Sequence, residues 1–216
     1  MRYKVDNDLH IHSKISVCSK DPEQTNERIL RYAEENGLKT ICVTDHFWDN
    51  AVEGASEWYS FQDYERIVAA KPLPQGKDVR FLFGCETELD KELTLGISKE
   101  KFDLFDFIII PTTHFHMDFT MTEADKASAD SRAKAWVRRF DAVLNMDLPF
   151  HKTGIAHLTC GLIAPERELF LEVIQAIPED EMRRLFKKSA RLGVGIELNA
   201  SDMSFADSEA DIVLRP

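Results

Sequence analysis

The chain of 216 residues lacks the long apolar run that a membrane-spanning helix requires. Its longest purely aliphatic stretch is Ile108–Ile110, far below the roughly 20 apolar residues that cross a bilayer. The N-terminal segment 1–8 has no apolar core of signal-peptide length. The sequence therefore predicts neither a membrane anchor nor a secreted protein.

Cysteine is scarce and widely scattered. The four cysteines, Cys18, Cys42, Cys85 and Cys160, form no C-x-x-C pair. Disulfide frameworks and zinc ribbons need closely spaced cysteines, so this spacing favours neither and indicates a reduced, cytoplasmic protein. For Cys18 two interpretations stay open. It is a small buried residue or loop thiol, which is the commoner case, or it is a metal ligand.

Positive charge is in the minority. The chain has 27 Lys and Arg residues against 38 Asp and Glu residues, which gives a formal net charge of −11. Nucleic-acid binding depends on neutralising phosphates with Lys and Arg, so a nucleic-acid partner is disfavoured, although a local basic groove stays compatible with this balance. The sequence also has no G-x-S-x-G elbow, no Walker loop and no H-E-x-x-H motif.

The composition is that of a folded protein, with 44% hydrophobic and 30% charged residues. Without repeats or low-complexity tracts, residues 1–216 are predicted to form a single domain. Strand-like and helix-like segments alternate along it. The predicted strands are 7–11, 38–44, 79–85, 106–111, 154–158 and 194–198. The predicted helices are 21–37, 61–70, 123–145 and 165–192, and Pro178 restarts the last of them.

Two of these helices carry more specific expectations. Asp21 is the predicted N-cap of the first helix, with Pro22 at the first helical position and Gln24 closing a capping box. Residues 132–139 form a basic stretch of the third helix. We expect a solvated basic face there, with Trp136 in the core. Binding of a substrate phosphate by these arginines is the less favoured alternative.

Alternation of strands and helices predicts parallel strands joined by helical crossovers. Two architectures compete: an open doubly wound sheet and a closed barrel. No glycine-rich phosphate fingerprint follows the first strand, which weakens the nucleotide-binding version of the open sheet. A barrel collects the C-terminal ends of its strands at one mouth, where the catalytic groups of such folds lie. Polar residues should therefore follow the strands.

Histidine does follow the predicted strands. Only His151 lies elsewhere, and the six strand-end histidines are His10, His12, His46, His114, His116 and His157. His-x-His in a strand directs both imidazoles to one side, because side chains alternate with period two. Imidazoles and carboxylates at one mouth suit Zn, Mn or Fe. The predicted site is therefore a metal centre that includes Glu86.

A purely structural role for these histidines is the alternative interpretation. A single strand-end histidine is more often a hydrogen-bonded structural residue than a metal ligand. Six such histidines together with Glu86 favour the metal centre over that alternative. Glu88 lies two residues beyond Glu86 on the same strand face, so it is either a group beside the site or a surface charge.

The chain resembles the PHP family, the polymerase-and-histidinol-phosphatase superfamily of metal-dependent phosphoesterases. The resemblance extends over residues 8 to about 199, in the family's order. The motifs that carry it are Asp8-Leu9-His10-Ile11-His12-Ser13, Thr44-Asp45-His46, Gly84-Cys85-Glu86, His114 and His157. Each motif alone is weak, but the combination is highly specific. The resemblance implies an α/β fold, a distorted (β/α)7 TIM-like barrel, holding up to three divalent metals.

The resemblance also implies how the metals are shared. It implies His10, His12 and Glu86 on the first metal, and His114 and His157 on another metal that shares Glu86. It implies His46 on the remaining metal. The family often places a histidine or aspartate about six residues after the second histidine of the first motif, and Cys18 holds that place here.

The C-terminal part departs from the family pattern. The family closes its site with an Asp-x-His motif on the last strand, and none follows Glu197. The sequence continues through Asp202, Asp207 and Asp211, and six strands are legible where the family has seven. We therefore expect a chain truncated before its last strand, with one aspartate and one histidine ligand missing.

The resemblance implies hydrolysis of a phosphate ester. The candidate substrate is a small, histidinol-phosphate-like phosphomonoester, with a place in histidine biosynthesis. Metals that share a carboxylate can lower the pKa of a water between them and present a hydroxide, while neutralising the phosphate charge. His46 and Glu86 belong to the expected catalytic set, and His116 is the candidate proton donor to the leaving alcohol.

Two other functions stay open. One is a nuclease acting on single strands or 3′ ends, which needs a basic or aromatic track at the mouth. The other is a non-catalytic module on a degenerate barrel. A metal-dependent amidohydrolase also begins with His-x-His, but it would require a lysine ligand at the fourth strand, where the sequence has none.

Overall fold

A computed structural model describes residues 5–198 of the chain. The described residues divide into two compact units, one formed by residues 5–88 with 95–109 and the other by residues 89–94 with 110–198. No helix of the described residues is long and apolar enough to cross a membrane. The single domain expected from the sequence stays a prediction. Asn199 and the acidic residues after it lie outside the described residues, as does any later strand.

The first unit is a layer of parallel strands with helices between them. Its strands are β1 (Asn7–Ile11), β2 (Thr40–Val43), β3 (His46–Phe47), β4 (Arg80–Thr87) and the first residues of β5 (Phe107–Pro111). Its helices are α1 (Asn26–Glu35) and α2 (Tyr64–Ile67), with 3-10 turns at Val68–Ala70 and Lys99–Leu104. Every strand predicted in this part of the sequence is present, and the two-residue strand β3 is an addition.

The register of the first unit brings strand ends together. Strand β2 pairs with β1 on one side and β4 on the other, and β4 pairs in turn with β5, all in parallel. Short strand β3 also pairs with β4, which sets His46 opposite Glu86. Because parallel strands end at one edge of a sheet, the residues that follow β1 and β3 gather at the end of β4. This edge holds the candidate site.

Helix α1 begins later than the sequence predicts. Its N-cap is Thr25, whose side chain accepts from the Arg28 N–H, and not Asp21. Asp21 Oδ1 instead accepts from the Glu23 N–H at 2.8 Å, and its Oδ2 pairs with Arg28. The Gln24 carbonyl accepts from a backbone N–H of the loop after β1. That tertiary bond holds the residues before Thr25 in turns, so the expected capping box was wrong.

Helix α1 packs its apolar face on the sheet. Its buried residues Ile29, Leu30 and Ala33 form one cluster with Ile41 of β2 and Val79. Their i, i+1 and i+4 spacing makes a single helical stripe, as an amphipathic helix requires. The helix therefore anchors the N-terminal part of the unit and fixes the loop that leads from β1 to it.

The second unit contains the rest of β5, two further strands and four helices. Its strands β6 (Thr153–Ala156) and β7 (Gly195–Ile196) pair in parallel. Its helices are α3 (Glu123–Lys126), α4 (Ala129–Val143), α5 (Arg167–Ala176) and α6 (Glu179–Leu192). The 3-10 turns Phe150–Lys152 and Gly161–Ile163 complete it. The predicted helix 123–145 is thus two helices, because Ser128 caps a new one with its side chain.

Helix α4 does not carry the fully solvated basic face that the sequence suggested. Trp136 is in the core as expected, and its Nε1–H donates to the Leu158 carbonyl at 2.9 Å. Arg132 and Arg139 are also buried. Residues 132, 136 and 139 follow helical i, i+4, i+7 spacing and share one face, so the arginines point inward with the tryptophan. That part of the expectation was wrong.

Arg139 is fully buried and cross-links the second unit through backbone carbonyls. Its guanidinium donates to the carbonyls of Thr112 at 2.8 Å, Thr120 at 2.7 Å, Asp90 at 2.9 Å and Leu89 at 2.6 Å. Guanidinium has five N–H donors in a fixed planar arrangement, which suits several acceptors at once. The side chain therefore satisfies loop carbonyls that would otherwise be buried without donors.

Replacing Arg139 with Met should destabilise the protein by at least ~3 kcal/mol, because buried carbonyls lose charged hydrogen-bond donors. Urea denaturation measures the free energy of unfolding. Lys134→Met, on the exposed side of the same helix, is the matched control and should change it by less than ~0.5 kcal/mol. Equal, small effects of both substitutions would contradict this role of Arg139.

Candidate metal centre

Glu86 lies at the end of β4, fully buried, with imidazoles from two other strand ends around it. Its Oε1 is 3.3 Å from His10 Nε2, and its Oε2 is 3.1 Å from His12 Nε2 and 2.9 Å from His46 Nδ1. The two β1 histidines reach the same carboxylate because strand residues i and i+2 share a face. His46 reaches it because β3 and β4 set these two residues opposite each other.

A serine after β1 fixes the proton of His12. Ser16 Oγ donates to Asp45 Oδ1 at 2.8 Å and accepts from the His46 N–H at 3.2 Å. The Asp45 carboxylate also accepts two bonds from Ser13. Since the single hydroxyl proton of Ser16 goes to Asp45, the contact of 3.0 Å between Ser16 Oγ and His12 Nδ1 must be donated by the ring. The proton of neutral His12 is therefore on Nδ1, and Nε2 carries the lone pair.

The lone pair on His12 Nε2 faces another acceptor, the Glu86 carboxylate. Burial lowers the pKa of His12 although Glu86 opposes the shift, so the neutral ring is favoured near pH 7. Its Nε2 then faces a Glu86 oxygen at 3.1 Å, which places two acceptors against each other in a buried site. Such an arrangement is favourable when a proton or a metal ion lies among the donors.

His46 holds the opposite charge state in the metal-free protein. Burial, the largest influence, lowers its pKa, but the Glu86 carboxylate and a hydrogen bond with Cys18 outweigh it and raise the pKa to about 10. Glu86 is fully buried, which raises its pKa, but the neighbouring His46 and His10 bring it well below its usual value. Glu86 is therefore a carboxylate near pH 7, as a metal ligand must be.

His46 is enclosed by aromatic rings. Its ring centroid is 4.4 Å from that of His12 in a stacked arrangement and 4.8 Å from that of Trp58 in an edge contact. The Tyr59 hydroxyl lies 3.3 Å from His46 Nδ1. Cys18 completes the surroundings, since its Sγ and one donor nitrogen each of His12 and His46 all lie within 4.8 Å of one another. Cys18 is exposed, so it is not a small buried residue, and the loop-thiol and metal-ligand interpretations both stay open.

The donor set fits a divalent metal. Two imidazoles and a carboxylate, His10, His12 and Glu86, offer ligand atoms within 4.8 Å of one another. Ligands at 2.0–2.1 Å from a tetrahedral zinc ion are about 3.3 Å apart, which is close to the contacts of 3.1 and 3.3 Å between these imidazoles and Glu86. Nitrogen and oxygen donors of this kind suit Zn, Mn or Fe. The residues in the first unit therefore fit the expected metal.

The second unit brings together another part of the predicted set. The rings of His114 and His157 have centroids 4.9 Å apart. The His157 N–H donates to Glu197 Oε2 at 2.9 Å, and its Nδ1 is 3.4 Å from the same oxygen. His157 has φ of 64°, a left-handed conformation that is uncommon outside glycine and more frequent for His than for most residues. His116, in contrast, is exposed, with its ring 5.4 Å from that of His114.

Three residues of these clusters, Asp45, Ser16 and Glu197, were not among the predicted site residues. Asp45 belongs to the Thr44-Asp45-His46 motif but had no assigned role. The spacing of Ser16 along the chain gives no signal, because its contact with the His12 ring depends on the course of the loop after β1. Glu197 ends a predicted strand, which is the signal that identified Glu86. Glu88 is fully buried, so it is not a surface charge.

Parallel strands that end in a buried carboxylate among imidazoles define an α/β protein with a metal-type donor set at its strand ends. A model of the PHP domain matches residues 8–201. The chain therefore belongs to the PHP domain family, and the α/β, TIM-like fold class expected from the sequence is confirmed. The assignment of individual ligands and catalytic residues stays a prediction.

One solved structure similar to the chain is a histidinol phosphate phosphatase from Lactococcus lactis subsp. lactis Il1403, crystallised with zinc, L-histidinol and phosphate. The sequences are 15% identical, and the TM-score is 0.44. The alignment covers 97% of this chain and 92% of that one. No curated protein matches the chain.

Replacing Ser16 with Ala should weaken zinc binding roughly 10- to 100-fold, because His12 loses the acceptor that fixes its tautomer. Competition with a chromophoric chelator measures the affinity. Ser60→Ala, at an exposed serine, is the control and should leave the affinity unchanged. Unaltered zinc affinity in a folded Ser16→Ala protein would show that the hydroxyl does not orient the ligand.

Proposed function

We propose that the chain is a metal-dependent phosphoesterase that hydrolyses a small phosphomonoester, with a histidinol-phosphate-like compound as the candidate. The observation that carries this proposal is the buried Glu86 carboxylate with three imidazoles within 3.3 Å, in a member of the PHP family. Its proposed metal ligands are His10, His12, His46, Glu86, His114 and His157. Up to three divalent cations, Zn, Mn or Fe, are the proposed cofactors.

Bound divalent cations would supply an activated water and neutralise the charge of the phosphate. The protein's own contribution begins with Glu86. Its side chain is ionised although it is buried, because the imidazoles around it lower its pKa. Ser16 and Asp45 hold His12 in the tautomer that presents Nε2. The Trp58 and Tyr59 rings restrict the movement of His46. These contacts preorganise the donors before substrate arrives.

The net charge of −11 is compatible with a phosphate substrate under this proposal. An acidic chain repels phosphates at long range, so the attraction must be local. Metal ions held by His and Glu side chains provide such local positive charge without added Lys or Arg. The same balance disfavours a long nucleic-acid track, because each phosphate of a polymer requires its own neutralisation.

His116 is the proposed proton donor to the leaving alcohol. It is exposed, so its ring can exchange its proton with solvent between turnovers. Alkyl phosphates need this proton because an alkoxide is a poor leaving group, whereas a nitrophenolate leaves without it. The role of His116 therefore predicts a dependence on the leaving group.

The proposed function is tested by measuring phosphate release from a panel of phosphomonoesters, histidinol phosphate among them, after loading with Zn or Mn. We expect turnover by the wild type and a loss of at least ~100-fold in Glu86→Gln, which keeps the shape but removes the charge. Glu57→Gln, at an exposed glutamate, should match the wild type. A folded, metal-loaded protein that releases no phosphate from any ester would refute the proposal.

Replacing His116 with Gln should lower kcat for an alkyl phosphate about 100-fold and for p-nitrophenyl phosphate less than ~10-fold. His151→Gln, at an exposed histidine away from the strand ends, is the matched control. Equal losses on both substrates would assign His116 to binding and not to proton donation.

A further inference from the structure

We propose that Cys18 is a thiolate metal ligand, and that the set formed by His12, Cys18 and His46 (the thiolate site) prefers zinc to manganese. This inference rests on the proposed metal-dependent function and names the chemistry of one of its sites. The resemblance to the PHP family leads to a histidine or aspartate at the place of Cys18. The thiol is thus a feature of this chain, and its chemistry differs from that of either residue.

The geometry brings the three donors to one point. Cys18 Sγ lies within 4.8 Å of donor nitrogens of both His12 and His46, whose rings stack at 4.4 Å. His46 Nδ1 is 2.9 Å from Glu86 Oε2, so an Nδ1–H donated to that carboxylate leaves Nε2 as its coordinating atom. A ligand histidine that donates its other N–H to a carboxylate is the usual arrangement around metals.

An independent observation points to a cation beside His12, the residue that the thiolate site shares with the set of His10 and Glu86. The bonds of Ser16 to Asp45 and His12 set the His12 proton on Nδ1, so Nε2 has its lone pair available. One lone pair serves one cation, so His12 joins either the thiolate site or the set with His10 and Glu86. Cys18 and His46 are the two residues that belong to the thiolate site alone.

The thiol changes which metal is favoured. Thiolate is a soft donor that suits zinc, whereas carboxylates and water suit manganese. Two imidazoles and a thiolate leave one position of a tetrahedral zinc ion open, as catalytic zinc sites do. On binding, the S–H bond of Cys18 and the Nε2–H bond of protonated His46 break, sulfur–metal and nitrogen–metal bonds form, and both protons pass to solvent.

Exposure of Cys18 gives the site a second property. The other three cysteines, Cys42, Cys85 and Cys160, are buried, so Cys18 is the accessible thiol of the chain. A bound metal should shield its sulfur from alkylating reagents. Reaction of the sulfur with such a reagent should in turn remove a ligand from the metal.

The test uses the full chain, stripped by a chelator and reloaded with cobalt(II) in place of zinc. We expect a near-ultraviolet absorption band from thiolate-to-cobalt charge transfer in the wild type. The band should be absent from Cys18→Ser and present in Cys160→Ala, the matched control at a buried cysteine. A folded wild-type protein that binds cobalt without this band would overturn the proposal.

Alkylation gives a second readout that is independent of turnover. Iodoacetamide should modify Cys18 at least ~10-fold more slowly in the zinc-loaded than in the metal-free protein, with manganese protecting less. Cys18→Asp should shift the ratio of zinc to manganese affinity at least ~10-fold toward manganese. Equal alkylation rates with and without zinc, or an unchanged ratio of zinc to manganese affinity, would contradict the thiolate site.

The two proposals fail in different ways. A cobalt–thiolate band in a protein that hydrolyses no phosphomonoester would leave the thiolate site standing and refute the phosphatase. Phosphate release that persists in Cys18→Ser, with no band in the wild type, would refute the thiolate site and leave the phosphatase standing.

Discussion

The burial of one carboxylate among three imidazoles is the constraint on which the candidate site depends. Glu86 is fully buried, and a charge in that position needs compensating partners within a few ångströms. His10, His12 and His46 supply them from two other strand ends, at 2.9 to 3.3 Å. One carboxylate carries a single negative charge, so it can balance only one protonated imidazole. If all three rings were protonated, positive rings would lie against one another. A shared metal cation removes this conflict, since neutral imidazoles then present lone pairs and not charges.

The groups behind the imidazoles make the arrangement specific. Asp45 accepts a hydrogen bond from the Ser16 hydroxyl, and Ser16 Oγ therefore accepts one from the Nδ1–H of His12. Trp58 and Tyr59 pack against His46 and hold its ring. These contacts are local to the first unit and fix ring orientation before any ligand binds. Under the proposed function, metal ions held by these few donors, and not the surface charge, would attract the phosphate to a strongly acidic chain.

The Cys18 thiol adds a property that the imidazoles and carboxylate do not provide. Nitrogen and oxygen donors accept Zn, Mn or Fe, whereas a thiolate biases the choice toward zinc. Because Cys18 is exposed, a bound metal and an alkylating reagent would compete for the same sulfur atom. In the second unit, His114, His157 and Glu197 form a cluster of their own, in which a left-handed backbone at His157 directs its N–H to Glu197.

The sequence by itself determined the parallel α/β class, most strand positions and the histidines and Glu86 that follow them, because alternation and strand-end position are local signals. It did not determine where α1 starts or that Arg132 and Arg139 are buried. A tertiary bond to Gln24 displaces the expected cap at Asp21, and backbone carbonyls distant in sequence recruit Arg139. Only the tertiary structure decided that Ser16 and Asp45 set the His12 tautomer, and that Cys18 lies beside His12 and His46. Those relations depend on the course of loops, which spacing along the chain does not encode.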